Sequence, residues 1–174
     1  MIERVSGLVD PLGDEIIPDA EVLKDNDIIL TPGSLPEDIE LVMKFALGDR
    51  YNETPEPQLV KGLELVKYLW IGKVNESIGG VVMICFLDKL DWWTLDAYKN
   101  SEHDNRDGDY SFRAGRLVID WFFTNMDADS LRTMHRTDNV LATKMCERLG
   151  FEKTHHNPEF VVLRLMRDKW ASRH

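Results

Sequence analysis

Two things are scarce in this 174-residue chain: cysteine and long apolar runs. Its two cysteines, Cys85 in an apolar run and Cys146 in a helical pattern, are too few for a disulfide framework or a cysteine zinc site. Both read as reduced, buried thiols. No apolar stretch approaches the ~20 residues that a membrane helix needs, and the longest candidate, Ile78 to Leu87, is interrupted by Gly79 and Gly80. The start, Met-Ile-Glu-Arg-Val-Ser, lacks the basic-then-apolar order of a signal peptide, so the expectation is a cytoplasmic protein with no membrane partner. A clustered basic surface is missing too, which argues against nucleic acid. The adjacent His155 and His156 would point to opposite faces if extended, so no metal site is expected there.

What is present is ordinary globular material. The chain is 43% hydrophobic and 30% charged with a mean hydropathy of -0.32, well away from disordered or membrane composition. Its length suits one core. Residues 1 to 27 mix Pro11, Gly13 and Pro18 with many acids and show neither helical nor strand period. They read as an irregular N-terminal arm ahead of a single domain over 28–174. The net charge of -10 is uneven: residues 1–110 carry 23 acids and 10 bases, a net of -13, whereas residues 111–174 carry 8 acids and 11 bases, a net of +3. A phosphate-bearing ligand would prefer the second part, because like charge repels it over a Debye length of about 8–10 Å.

Along the chain, Ile28 to Thr31 predicts a short strand. Ser34-Leu35-Pro36-Glu37 is a capping box with a proline in the first turn, followed by Ile39, Val42, Met43 and Ala46 at helical spacing to about Leu47. Leu59, Leu63, Val66 and Lys67 continue a second helical stripe. Tyr68 to Val74 and Ile78 to Phe86, joined by Asn75-Glu76-Ser77, read as a hairpin whose second strand is apolar on both faces. Trp92 to Tyr98 is a third strand, and the polar stretch Asn100 to Asp109 a loop. From Ser111, Ala114, Leu117, Val118, Trp121 and Phe122 make an amphipathic helix ending near Asn125. Leu131 to His135 is a strand. A helix from Asp138 or Asn139 carries Leu141, Ala142, Met145, Cys146 and Leu149 and closes at Gly150-Phe151, where glycine can take the left-handed cap conformation. His155-His156 reads as a turn, and Phe160 to Met166 as the last strand. The order predicts a mixed α/β (α+β) fold. Trp92, Trp93 and Trp121 suit either the core or the lining of a pocket.

One segment goes further. Asn139, Ala142, Gly150 and Phe151, with Met145 where leucine is usual, resemble the fourth-helix signature of the GNAT acyl-CoA N-acyltransferases. The resemblance spans about residues 28 to 166. It implies a mixed central sheet of about six to seven strands flanked by about four helices. It also implies that acetyl-CoA lies between two splayed strands, here Trp92 to Tyr98 and Leu131 to His135, with its pyrophosphate at the start of the helix near Ser111. The product would be an acetylated amine, so the partners would be a CoA thioester and an amine acceptor, with no metal.

In the family's phosphate loop, Tyr110 stands at the first place, Arg113 at the first glycine and Gly115 at the last. Arg113, Gly115, Arg116 and Asn139 are therefore the candidate cofactor-binding residues, the arginines acting as side-chain donors to phosphate. Cys146 occupies the place of the helix-four tyrosine that protonates the departing thiolate, and Asp96 is the candidate base; Asp91, His103 and His135 are further base candidates. Trp-Phe-Phe-Thr-Asn before the strand, then Thr-Asp-Asn and Cys-Glu-Arg-Leu-Gly-Phe, are similar to degenerate GNAT-like proteins of tailed bacteriophages. That likeness implies an alternative: a non-catalytic, head- or virion-associated module whose partners are phage or host proteins; a homo-oligomer is an expectation open to either reading.

Overall fold

The structure, a computed structural model, describes residues 19–34, 37–47, 64–100 and 109–173. Two compact units divide the chain, Ala20–Gly115 and a second that begins at Arg116. Among the described residues there are eight strands and four helices, so the mixed α/β class holds with a strand count slightly above expectation. Most of the second helical stripe and His103 lie outside the described residues.

In the first unit, β1 (Leu23–Asp25), β2 (Ile28–Pro32), β3 (Val66–Val74), β4 (Ser77–Leu87) and β5 (Trp92–Lys99) follow one another as antiparallel neighbours. The β3–β4 turn is tight because Asn75 and Glu76 both take positive φ, 50° and 72°, the geometry that matches the right-handed twist of a hairpin. β4 is buried from Gly79 to Cys85, as its two-faced apolar run requires. Helix α1 (Ile39–Leu47) packs on β4 and β5, where Val42 joins Leu69, Val81, Met83 and Cys85 in one core cluster flanked by Leu41 and Phe45. Three local readings are corrected. Leu23–Asp25 form a strand inside the stretch read as irregular, Val66 and Lys67 open β3 rather than closing a helix, and His155-His156 end a strand rather than forming a turn.

Helix α2 (Tyr110–Asn125) begins in this unit with its tyrosine laid on bare backbone. A Cβ placed on Gly72 would stand 1.9 Å from the Tyr110 Oη and 2.9 Å from Leu30 Cδ2, and one on Gly79 2.7 Å from Tyr110 Cζ. Gly79 is the extra residue of a bulge, since Gly72 pairs with Gly80 and Lys73 with Ile78. Its carbonyl accepts from Asn100 N at 2.8 Å. Gly79→Ala is expected to cost about 1–3 kcal/mol through overpacking against a ring that is itself buried. Chemical denaturation would measure this, and an unchanged midpoint would show that the ring is not seated there.

In the second unit, β6 (Ser130–Arg136) pairs antiparallel with β8 (Phe160–Met166), and β8 with β7 (Glu152–His156). Helix α3 (Val140–Leu149) is capped at both ends: Asn139 Oδ1 accepts from Ala142 N at 3.2 Å, and Gly150 takes φ 108°. A short helix α4 (Arg167–Ser172), absent from the sequence reading, packs on β8 and docks Trp170, whose Nε1 donates to Asp120 Oδ1 at 2.7 Å. Val118, Ile119, Phe122, Leu131, Leu163 and Leu165 are buried to the last few per cent, and Trp121 is core. Among the described residues no helix is long and apolar enough to cross a membrane.

Candidate active site

Cross-strand register decides which polar groups meet on the α1 face of β4 and β5. Val81 pairs with Tyr98, Met83 with Asp96 and Cys85 with Thr94, and directly opposed residues point to the same side. The side chain of Asp96 is thus delivered into the layer under α1, beside the cluster of Val42, Met83 and Cys85. Its oxygen Oδ2 lies 3.5 Å from the Cys85 thiol, which donates to it. Burial raises the Asp96 carboxyl above the ordinary carboxylate range, and the thiol hydrogen bond pulls it partly back. The same burial, with the negative charge of Asp96 next to it, pushes the Cys85 thiol far up, so it stays protonated. Tyr98 is pushed up to about 12 by burial and then by the Asp96 and Cys85 charges. The result is a desolvated carboxylate held by a thiol, next to a phenol that keeps its proton. Burial thus makes this carboxylate a better proton acceptor than an exposed one.

At the start of α2 the arginine is already engaged. Arg113 Nε donates to Asp25 Oδ2 at 2.9 Å, and its Nη2 to Asp25 O at 2.7 Å and Asp27 Oδ1 at 2.8 Å. These contacts tie α2 to the β1–β2 turn and hold the Asp27 carboxyl below its usual range. Gly115 is buried within the helix, and Arg116, one residue on, is exposed.

In the second unit α3 meets β6 through polar rungs. Thr143 Oγ1 lies 2.7 Å from His135 Nε2, and the Cys146 thiol interacts with Thr133, two residues from His135 on the same face of β6. Burial lowers His135 below the usual imidazole range and pushes Cys146 up to about 12. At neutral pH the imidazole is neutral and the thiol protonated.

No protein-family model matches the sequence, and no curated protein does. Solved structures do match. An acetyltransferase from Agrobacterium tumefaciens str. C58 superposes with a TM-score of 0.69 at 15% identity, covering 87% of this chain and 98% of that one. Apo FdhC, a nucleotide-linked sugar GNAT, gives 0.67 at 14%, covering 89% and 95%. Mutant forms of the spermidine/spermine N-acetyltransferase SpeG from Vibrio cholerae give 0.65 at 11%, covering 86% and 99%. The fold is that of the GNAT acetyltransferases.

Within the GNAT fold the residues singled out in the sequence fall into separate groups. Asp96 is on β5 and Arg113 and Gly115 on α2 in the first unit, whereas Asn139 and Cys146 are on α3 in the second. Asn139 spends its side chain on the helix cap. Cys85 and Tyr98, the neighbours that set the chemistry of Asp96, escaped the sequence reading, as did Asp25 and Asp27. Strand alternation was the available signal for Tyr98, which stands two residues from Asp96. For Cys85 the decisive contact is a cross-strand one set by the β4–β5 register, and for the two aspartates it is a long-range one to Arg113.

Proposed function

We propose that the protein is an N-acyltransferase that moves an acetyl group from acetyl-CoA to an amine. The observation that carries the reading is the half-buried carboxylate of Asp96 on a GNAT-fold strand, its proton affinity raised by burial and one oxygen held by the Cys85 thiol. Asp96 takes the amine proton as the nitrogen attacks the thioester carbonyl. A C–N bond forms, a backbone N–H of β5 steadies the oxyanion, and the C–S bond then breaks. The departing thiolate takes up a proton from solvent; Cys146 holds the place that the family resemblance gives to the acid, where burial makes its thiol a weaker acid than an ordinary one. Arg113 and Arg116 meet the phosphates, with Gly115 between them on α2, and Asn139 fixes the start of α3.

A second reading has its own support. Arg113 is held by two carboxylates, so the helix start can serve as a structural clasp in a GNAT-fold module that transfers nothing, of the kind the phage resemblance suggests. Calorimetric titration with acetyl-CoA and with free CoA separates the two. Binding is expected, and Arg113→Ala with Arg116→Ala should weaken it about tenfold or more, since each charged phosphate contact is worth about 1.5–3 kcal/mol before competition from Asp25 and Asp27. No binding up to millimolar ligand would leave the non-catalytic module, and recovery of the protein in purified phage particles would support that module directly.

A further inference from the structure

The Asp96 carboxylate is half-buried, and among the described residues it is a thiol rather than a charged group that holds it. From α1, the residues flanking this layer are Leu41, Val42 and Phe45, while Glu40 and Lys44 pair with each other on the exposed side at 3.3 Å. From β5 itself comes Tyr98, and from β4 come Met83 and Cys85. A desolvated carboxylate without a hydrogen bond to its charged form would simply keep its proton and be useless as a base. The Cys85 thiol, 3.5 Å from Oδ2, provides that bond. Thr94, directly opposite Cys85 in the register, interacts in turn with the thiol and limits where the S–H can point. The chain from Thr94 through Cys85 to Asp96 thus engages one carboxylate oxygen, Oδ2.

We propose that Cys85 is a positioning residue for acyl transfer, donating its S–H to Asp96 and thereby setting both the orientation of the carboxylate and the pH at which it becomes a base. This rests on the reading that Asp96 is the proton acceptor. Cys85 itself forms no bond to substrate and exchanges no acyl group. Its proton stays on sulfur, because a thiolate beside Asp96 would put two like charges in one dry site.

The test follows the Asp96 side-chain carboxyl by carbon NMR through a pH titration of the whole protein, in the parent, in Cys85→Ala and in Cys85→Ser. Alanine removes the donor, so the Asp96 midpoint should rise by roughly one unit, a tenfold change in proton affinity. Serine supplies a stronger donor, so the midpoint should fall below the parent value. The acid limb of kcat/KM should move in step, with KM for acetyl-CoA unchanged. A midpoint that stays put in both variants, or moves the same way in both, overturns the proposal. If alanine prevents folding, the serine variant alone decides, because only a donor role predicts a downward shift. Opposite midpoint shifts in a protein that transfers no acetyl group would confirm the Cys85 bond while refuting Asp96 as a base, so the two failures are told apart.

Discussion

Asp96→Asn is expected to lower the rate of acetyl transfer by roughly 10²–10³-fold while making the protein more stable at neutral pH. The first effect is what loss of a positioned general base costs. The second follows from linkage. Burial raises the folded carboxyl above that of the unfolded chain, so its contribution to stability is fully present below the unfolded value and is lost as pH rises through the folded value. Asparagine has no charge to desolvate and can still accept from Cys85, so the variant escapes that loss. Urea unfolding should therefore show parent and variant nearly equal in acid and the variant ahead at pH 7. Full activity in the variant would remove Asp96 from the mechanism. A variant less stable than the parent at pH 7 would mean that the ionised carboxylate is welcome in its site. A residue that costs stability in the charged form and sits among apolar neighbours is what a stability–activity compromise looks like in a single side chain.

How far the sequence reaches depends on the range of the interaction that decides each element. Helix α3 was legible to within a residue or two because its determinants are local: Asn139 bonds a backbone N–H three residues on, and Gly150 supplies a left-handed exit. The β3–β4 hairpin was legible for the same reason, through the Asn75-Glu76 turn. β7 was not, because every residue of it is exposed and it exists by pairing with β8 rather than by burying a face of its own. Leu23–Asp25 is likewise a strand only through its pairing with β2. The site behaves as the elements do. Alternation could place Asp96 on one face of β5, but which residue faces it depends on the register of β4. Arg113 reads as a free cation in sequence, and the carboxylates that hold it come from residues 86 and 88 positions away.

Arg167→Ala should be among the most destabilising single substitutions in the second unit. The guanidinium is spread over three backbone carbonyls: Nε donates to Ala128 O at 2.8 Å, Nη1 to Phe123 O at 2.7 Å, and Nη2 to Met126 O, while Cζ lies 5.2 Å over the Phe123 ring. These carbonyls belong to the end of α2 and the turn after it, where helical C=O groups have run out of backbone donors. A positive group here also suits the negative end of the helix dipole. Phe123 and Met126 are buried, so water replaces the lost donors poorly. The expected cost is about 3–4 kcal/mol. For a chain of this size that corresponds to a fall in Tm of roughly 10 °C. Lysine should recover only part of it, because one ammonium lacks the planar fork that serves three acceptors at once. The comparison of alanine, lysine and parent by thermal unfolding therefore measures geometry separately from charge: full rescue by lysine would mean that charge at the helix end is sufficient, and partial rescue that the fork itself closes α2 against the turn leading into β6.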